Sequence, residues 1–121
     1  MKYTFEDLKE IMKKLRGEGG CPWDREQTHP SIRDCLIEEA YETAEAIDSG
    51  KDEKMYDELG DVLLQVVFHA QIAEEEGRFN IDDIPNAICE KMIRRHPHVF
   101  ADGDAKTADG VLVKWEEIKK E

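Results

Sequence analysis

The stretch Ile37–Asp61, IEEAYETAEAIDSGKDEKMYDELGD, decides the fold. It reads as the end of one helix, a turn centred on Ser49-Gly50-Lys51, and the start of a second helix. Glu39 and Glu42 lie three residues apart before the turn, and Glu58 and Asp61 three apart after it. Glu42 and Glu58 are equally far from the turn, as are Glu39 and Asp61, so an antiparallel pair brings all four acids to similar heights. Carboxylates that close repel, and their pKa values must rise unless a cation neutralises them. The spacing predicts a metal site on an antiparallel helix pair.

Helical periodicity extends outward over almost the whole chain, with no convincing strand alternation. Thr4 with Asp7 makes a capping-box-like start, and Phe5, Leu8, Met12 and Leu15 form the apolar stripe of a first helix ending at Gly17. Glu18–Thr28 is expected as a loop, with Gly19-Gly20 and Cys21-Pro22-Trp23-Asp24 in it. A second helix runs from about Pro30 to Asp48 and a third from about Asp52 to Glu76, stopping at Gly77. A fourth starts near Asp82 or Asp83 and ends at His96-Pro97. After a polar loop, Asp102–Gly110, a last helix begins near Val111 and is still amphipathic at the final residue, as in a piece of something longer. The expected fold is all-α, a four- to five-helix bundle forming one domain over residues 1–121.

In Val62-Leu63-Leu64-Gln65-Val66-Val67-Phe68 the apolar residues point nearly all round the third helix, as on a helix covered from several sides. So short a chain has little to cover it with, so a homodimer with this helix in or near the interface is expected.

The 121 residues carry 29 acidic against 17 basic side chains, a formal net charge of −12. That balance disfavours nucleic acid and anionic membranes, which are bound by neutralising phosphate. The cysteines Cys21, Cys35 and Cys89 have no metal-type spacing and read as buried thiols of a reducing cytosol. With no signal-peptide pattern and no bilayer-spanning apolar run, a soluble cytoplasmic protein is expected.

At about 100° per residue, Ile32, Leu36, Ala40, Thr43 and Ile47 define the inward arc of the second helix. Glu39 falls inside that arc and Glu42 at its edge, while Glu38 and Glu45 point further out. Leu59, Val62, Val66 and Ala73 mark an inward face of the third helix, with Glu58 and Asp61 on its flank. A solvated acidic face is the plain alternative, but Glu39 on the apolar arc argues against it. An all-oxygen ligand set selects Mg²⁺, with Mn²⁺ as its substitute. Zinc and di-iron bundles want histidine where this chain has Glu42 and Asp61.

On the fourth helix, Ile84, Ala87, Ile88 and Met92 mark the face expected to be buried, and Lys91 and Arg95 share its arc, with Arg94 nearer its edge. Long stems that snorkel would account for them; beside a metal cluster they read as phosphate ligands. Lys54, one turn before Glu58, suits an ion pair with Glu58 or the same anion. His29, His96 and His98 each flank a proline and read as caps of turn backbone; Tyr41 and Phe68 read as packing. Trp23 either plugs the Cys-Pro-Trp-Asp loop onto the core or stacks on a base. There is no Walker-type phosphate loop and no recognisable nucleophilic triad.

Glu38-Glu39-Ala40-Tyr41-Glu42 followed by Glu58-Leu59-Gly60-Asp61 resembles the E-E-x-x-E…E-x-x-D signature of MazG-type all-α nucleoside triphosphate pyrophosphohydrolases. Dimeric dUTPases share that signature. The flanking Gly20-Cys21-Pro22-Trp23-Asp24 with Gln27-Thr28-His29, Arg94-Arg95-His96-Pro97-His98-Val99-Phe100, and Trp115-Glu116-Glu117-Ile118-Lys119 look like MazG itself. The resemblance implies a dimeric helical bundle that hydrolyses nucleoside triphosphates to monophosphate and pyrophosphate with Mg²⁺, in nucleotide-pool housekeeping. By it, Glu39, Glu42, Glu58 and Asp61 hold the metal. Lys54, Lys91 and Arg95 contact phosphate, and Trp115 contacts the nucleotide. Glu38 binds a second metal, orients the attacking water, or stands outside the site. MazG proteins often carry two copies of this domain, and this chain looks like the copy bearing Cys-Pro-Trp-Asp. A regulatory module that holds Mg-nucleotide without turnover is the alternative reading.

Overall fold

The computed structural model describes residues 2–101, and all regular structure among them is helical. The last predicted helix, with Trp115, lies outside the described residues. The chain forms two compact units, residues 1–81 and residues 82–121.

In the first unit, α1 (Phe5–Arg16) begins at a Thr4–Asp7 capping box, in which the Asp7 amide donates to the Thr4 hydroxyl and the Thr4 amide to the Asp7 carboxylate. The chain then turns back on itself, with the Cys21 amide donating to the Leu15 carbonyl at 2.8 Å. Gly20 sits so close to α1 that a Cβ there would meet the Leu15 carbonyl oxygen at 2.2 Å, so no other residue fits without moving backbone.

The expected loop 18–28 contains a short helix, α2 (Pro22–Glu26), which opens on a proline where no amide hydrogen is needed. Its five residues are too few to show a helical period. The long helix α3 (His29–Ser49) ends at Gly50, whose φ of 69° is the left-handed conformation that closes helices and favours glycine. Lys51 then caps α4 (Asp52–Glu75), so α3 and α4 form a tight hairpin.

Met12, Ile32, Val67, Phe68 and Ile72 form the core, with Leu8, Leu64 and Ile81 packed against it. Each side chain of this kind, fully buried, contributes about 1.5–3 kcal/mol. Arg16 binds the periphery together: Nε and Nη2 donate to the Glu75 carboxylate, both at 2.8 Å, and Nη1 donates to the carbonyls of Asp24 and Gln27. Its guanidinium also lies over the Phe68 ring.

Two expected inward faces differ. Ile32, Thr43 and Ala46 are buried on α3, but Leu36, Ala40 and Ile47 are exposed. The apolar arc of α3 is wider than α4 can cover, and these three lie on its uncovered side. On α4 the covered-all-round character holds for Val67, Phe68 and Ala70, whereas Leu59 and Leu63 are exposed. Tyr41, expected to pack, is 72% exposed, while Phe68 is buried.

The second unit begins with α5 (Asp83–Arg94) and the short α6 (Pro97–Phe100). The face of α5 expected to be buried is largely exposed at Ala87, Ile88 and Met92, with Ile84 half-buried. Amphipathic spacing shows which face wants cover, not what supplies it. Cys89 is exposed on the same helix rather than a buried thiol; Cys21 and Cys35 are half-buried.

Candidate functional site

The hairpin places Glu39 of α3 opposite Glu58 and Asp61 of α4. One carboxylate oxygen from each lies within 4.8 Å of the other two, and all three residues are half-buried. Thr43, one turn beyond Glu39, holds the two helices at this height. Its hydroxyl sits 2.7 Å from the carbonyl of Glu39 and 3.3 Å from that of Glu58. The turn at Gly50 sets the register; the helical period then brings the three acids onto facing sides.

The electrostatics are those of crowded, partly desolvated acids. Burial, a hydrogen bond shared with Glu58 and the charges of Asp61, Glu42 and Glu58 push the Glu39 carboxyl up to about 7. Burial and the charges of Glu42 and Asp61 also raise Glu58, against the lowering effect of its hydrogen bond with Glu39. Oε2 of Glu39 and Oε2 of Glu58 are both sealed from solvent without a hydrogen-bond partner. Two orphaned acceptors facing a third carboxylate need a proton or a cation between them. A hard divalent ion fits this all-oxygen set.

Glu42 does not join the cluster of three. It is exposed, at the edge of the face that carries Glu39, and its charge reaches both Glu39 and Glu58. It lines, with Glu58, an adjoining groove of about 420 Å³ whose other walls are Glu45, Ala46, Ser49, Lys54 and Asp57. Lys54 is exposed in this groove and makes no ion pair with Glu58, contrary to the i,i+4 pairing expected of it. Glu38 is exposed on α3.

Lys91 is exposed near the end of α5, and Arg95, just beyond that helix, is half-buried. Trp23 meets Phe68 edge to face with centroids 6.5 Å apart, yet remains 57% exposed, so it rests on the core without being enclosed by it. His96 caps backbone as expected, its Nδ1 lying 2.7 Å from the Met92 carbonyl.

Sequence reasoning gave Thr43, Gln65, Glu45 and Asp57 no role in the site. Gln65 lies on the stripe of α4 that carries Asp61, is buried, and has an Oε1 without a partner. Its four-residue spacing from Asp61 was the available signal. Glu45 and Asp57 gave none, because a groove wall depends on how two helices lie together.

Among known families, the MazG nucleotide pyrophosphohydrolase domain matches residues 27–100. The chain belongs to that family. The match takes in the acid-bearing hairpin and continues through α5 and α6. MazG of Thermotoga maritima, a nucleoside triphosphate pyrophosphohydrolase/pyrophosphatase, is 56% identical over 115 residues, covering 95% of this chain and 44% of that protein. The nucleoside triphosphate pyrophosphohydrolase of Escherichia coli K12 is 52% identical over 118 residues, covering 97% of this chain and 45% of the relative. The uncharacterized protein YabN of Bacillus subtilis is 53% identical over 118 residues, 98% of this chain and 24% of its own length. The chain therefore spans less than half the length of these relatives. Its fold superposes on the crystal structure of a mazG-related protein from Thermotoga maritima with a TM-score of 0.76 and 25% identity, covering 96% of this chain and 99% of that one.

Proposed function

We propose that this MazG domain hydrolyses nucleoside triphosphates to the monophosphate and pyrophosphate in a Mg²⁺-dependent reaction. The observation that carries this is the pair of sealed, unpartnered oxygens on Glu39 and Glu58 beside Asp61. Family membership and relatives named as nucleoside triphosphate pyrophosphohydrolases support it.

Glu39, Glu58 and Asp61 would hold the ion, with Glu42 joining from the groove edge; Mn²⁺ fits the same donors. A divalent ion there supplies Lewis-acid polarisation of phosphoryl oxygens and a lowered pKa for a neighbouring water. Water adds to the α-phosphorus, the bond from that phosphorus to the bridging oxygen breaks, and pyrophosphate leaves. Exposed Glu38 is assigned to orienting the attacking water. Lys54, at the wall of the adjoining groove, is assigned to neutralising the departing pyrophosphate, and Lys91 and Arg95 are assigned to phosphate contacts. Trp23 and Trp115 are assigned to the nucleotide, Trp23 through its exposed face.

The functional species is a cytoplasmic homodimer. Leu36, Ile37, Ala40, Tyr41 and Ala44 line an apolar depression of about 460 Å³ on the open side of α3, and Tyr56, Leu59 and Leu63 are exposed on α4. Apolar surface of that extent on a chain of net charge −12 suits a second copy bound through its own apolar face. The chain is the Cys-Pro-Trp-Asp-bearing copy of the domain, serving nucleotide-pool housekeeping.

The test is pyrophosphate release from a panel of ribo- and deoxyribonucleoside triphosphates with and without Mg²⁺. Turnover that requires the metal and falls by about two orders of magnitude in Glu39→Gln is expected. Tight nucleotide binding without turnover at any metal would instead make the domain a regulatory module.

A further inference from the structure

His29, the first residue of α3, and His69 of α4 meet with their Nδ1 atoms 2.7 Å apart. Their planes differ by 3° and their centroids lie 5.0 Å apart. The centroid separation exceeds the nitrogen separation by about one ring diameter. The rings therefore lie edge to edge in nearly one plane, aligned for a single N–H···N hydrogen bond.

The tautomers follow from Arg78. A guanidinium only donates, and Arg78 Nη2 bonds to His29 Nε2, so that nitrogen accepts. His29 then carries its proton on Nδ1 and donates to Nδ1 of His69, whose own proton sits on Nε2. A metal shared between the rings would need both Nδ1 lone pairs, and Arg78 leaves His29 with its free lone pair at Nε2.

The bond between the rings survives one extra proton but not a second. A proton taken up on His29 Nε2 displaces Arg78 and turns that nitrogen toward Glu76 Oε1, 3.3 Å away, leaving the bond to His69 intact. A second proton, on His69 Nδ1, sets two N–H groups and two positive charges face to face. The charged groups lining the cleft beside His29 are Arg16 of α1, Arg25 and Glu26 of α2, Glu75 of α4 and Glu76 after it, with Arg78 bonded to the ring itself. Arg16 and Glu75 are bound to each other, and Glu76 also pairs with Arg78, so neither Glu75 nor Glu76 is left to match a second charge.

We propose that the His29–His69 pair is an acid-released clasp closing the end of the α3–α4 hairpin opposite the Gly50 turn. Burial, and then the charge of His29, lower the His69 pKa from its ordinary 6.5. The folded clasp thus binds fewer protons than the unfolded chain, and its contribution to stability is lost as pH falls below that value through the folded one. Because Glu39 rides on α3 while Glu58 and Asp61 ride on α4, release also loosens the spacing of the acids. The clasp itself stands whatever those acids bind.

Imidazole ¹⁵N NMR on the unsubstituted protein, titrated from about pH 8 to about pH 5, tests it. His29 protonated at Nδ1 and His69 at Nε2, with the second proton entering below 6.5 as amide shifts move at both helix ends, is the expected result. Two rings titrating independently near 6.5, or His69 protonated at Nδ1 at the basic end, would overturn it. In a cycle of His29→Gln, His69→Gln and the double variant, the losses in Tm should be non-additive at about pH 8 and additive at about pH 5. Additivity at both values would also overturn the clasp.

Discussion

The Thr43 hydroxyl stands 3.3 Å from the Glu58 carbonyl across the hairpin, a side-chain contact that spans the two acid-bearing helices at the height of the acids themselves. Thr43 is buried, so its hydroxyl has no ready substitute for these carbonyls. Thr43→Val keeps the shape and removes the link. It should cost about 1 kcal/mol of stability, measured by denaturant unfolding, and weaken Mg²⁺ binding by calorimetry. Unchanged metal affinity would show that the register of the acids is set by the Gly50 turn alone.

In chelator, the acids make the protein less stable as pH rises. Glu39 titrates at about 7 in the fold against 4.5 ordinarily, and Glu58 is shifted the same way. The folded state therefore holds protons that the unfolded chain has released, and the stability this contributes is present below 4.5 and lost as pH climbs through about 7. Melting curves in chelator should show that loss over this window, reduced in Glu39→Gln. Added Mg²⁺ should raise Tm most at the basic end.

Gln65→Met should stabilise the protein. The buried Oε1 of Gln65 has no partner, and methionine replaces it with an apolar chain of similar length. Relief of that desolvation is expected to contribute about 1 kcal/mol. A lower denaturation midpoint in the variant would mean that the amide has a partner in solution, such as an ordered water.

Arg16→Lys should cost about 2–3 kcal/mol, since a lysine cannot grip the Glu75 carboxylate with two nitrogens while reaching the carbonyls of Asp24 and Gln27. The side chain is only 7% exposed, so the lost bonds are not replaced by water. A lower midpoint at unchanged slope in urea identifies this as lost stability.

Ile37→Asp tests the dimer. Ile37 is 42% exposed on the apolar depression of α3, so the substitution is tolerated by a monomer and opposed by an apolar interface. Sedimentation should show a dimer for the parent and a monomer for the variant. An identical mass for both would move the interface elsewhere.

Much of this architecture was legible from residue order. The capping box at Thr4 and the left-handed Gly50 are local signals, and the main helices fall within a few residues of where periodicity puts them. Short helices such as α2 escaped because one turn has no period to detect. Leu36, Ala40 and Ile47 were misplaced because helical spacing gives an angle about a helix's own axis. It does not say where the neighbouring helix stands.

The same distinction runs through the acids. Residue order alone determined that Glu39, Glu58 and Asp61 sit on facing sides of a hairpin, because the turn sets the heights and the period sets the angles. Only the packed structure decided that these three converge while Glu42 stays at the rim. It also decided that Thr43 spans the pair and that His29 meets His69 at the far end. Those outcomes depend on the distance and rotation between two axes, which are set by the volumes of every side chain packed between them.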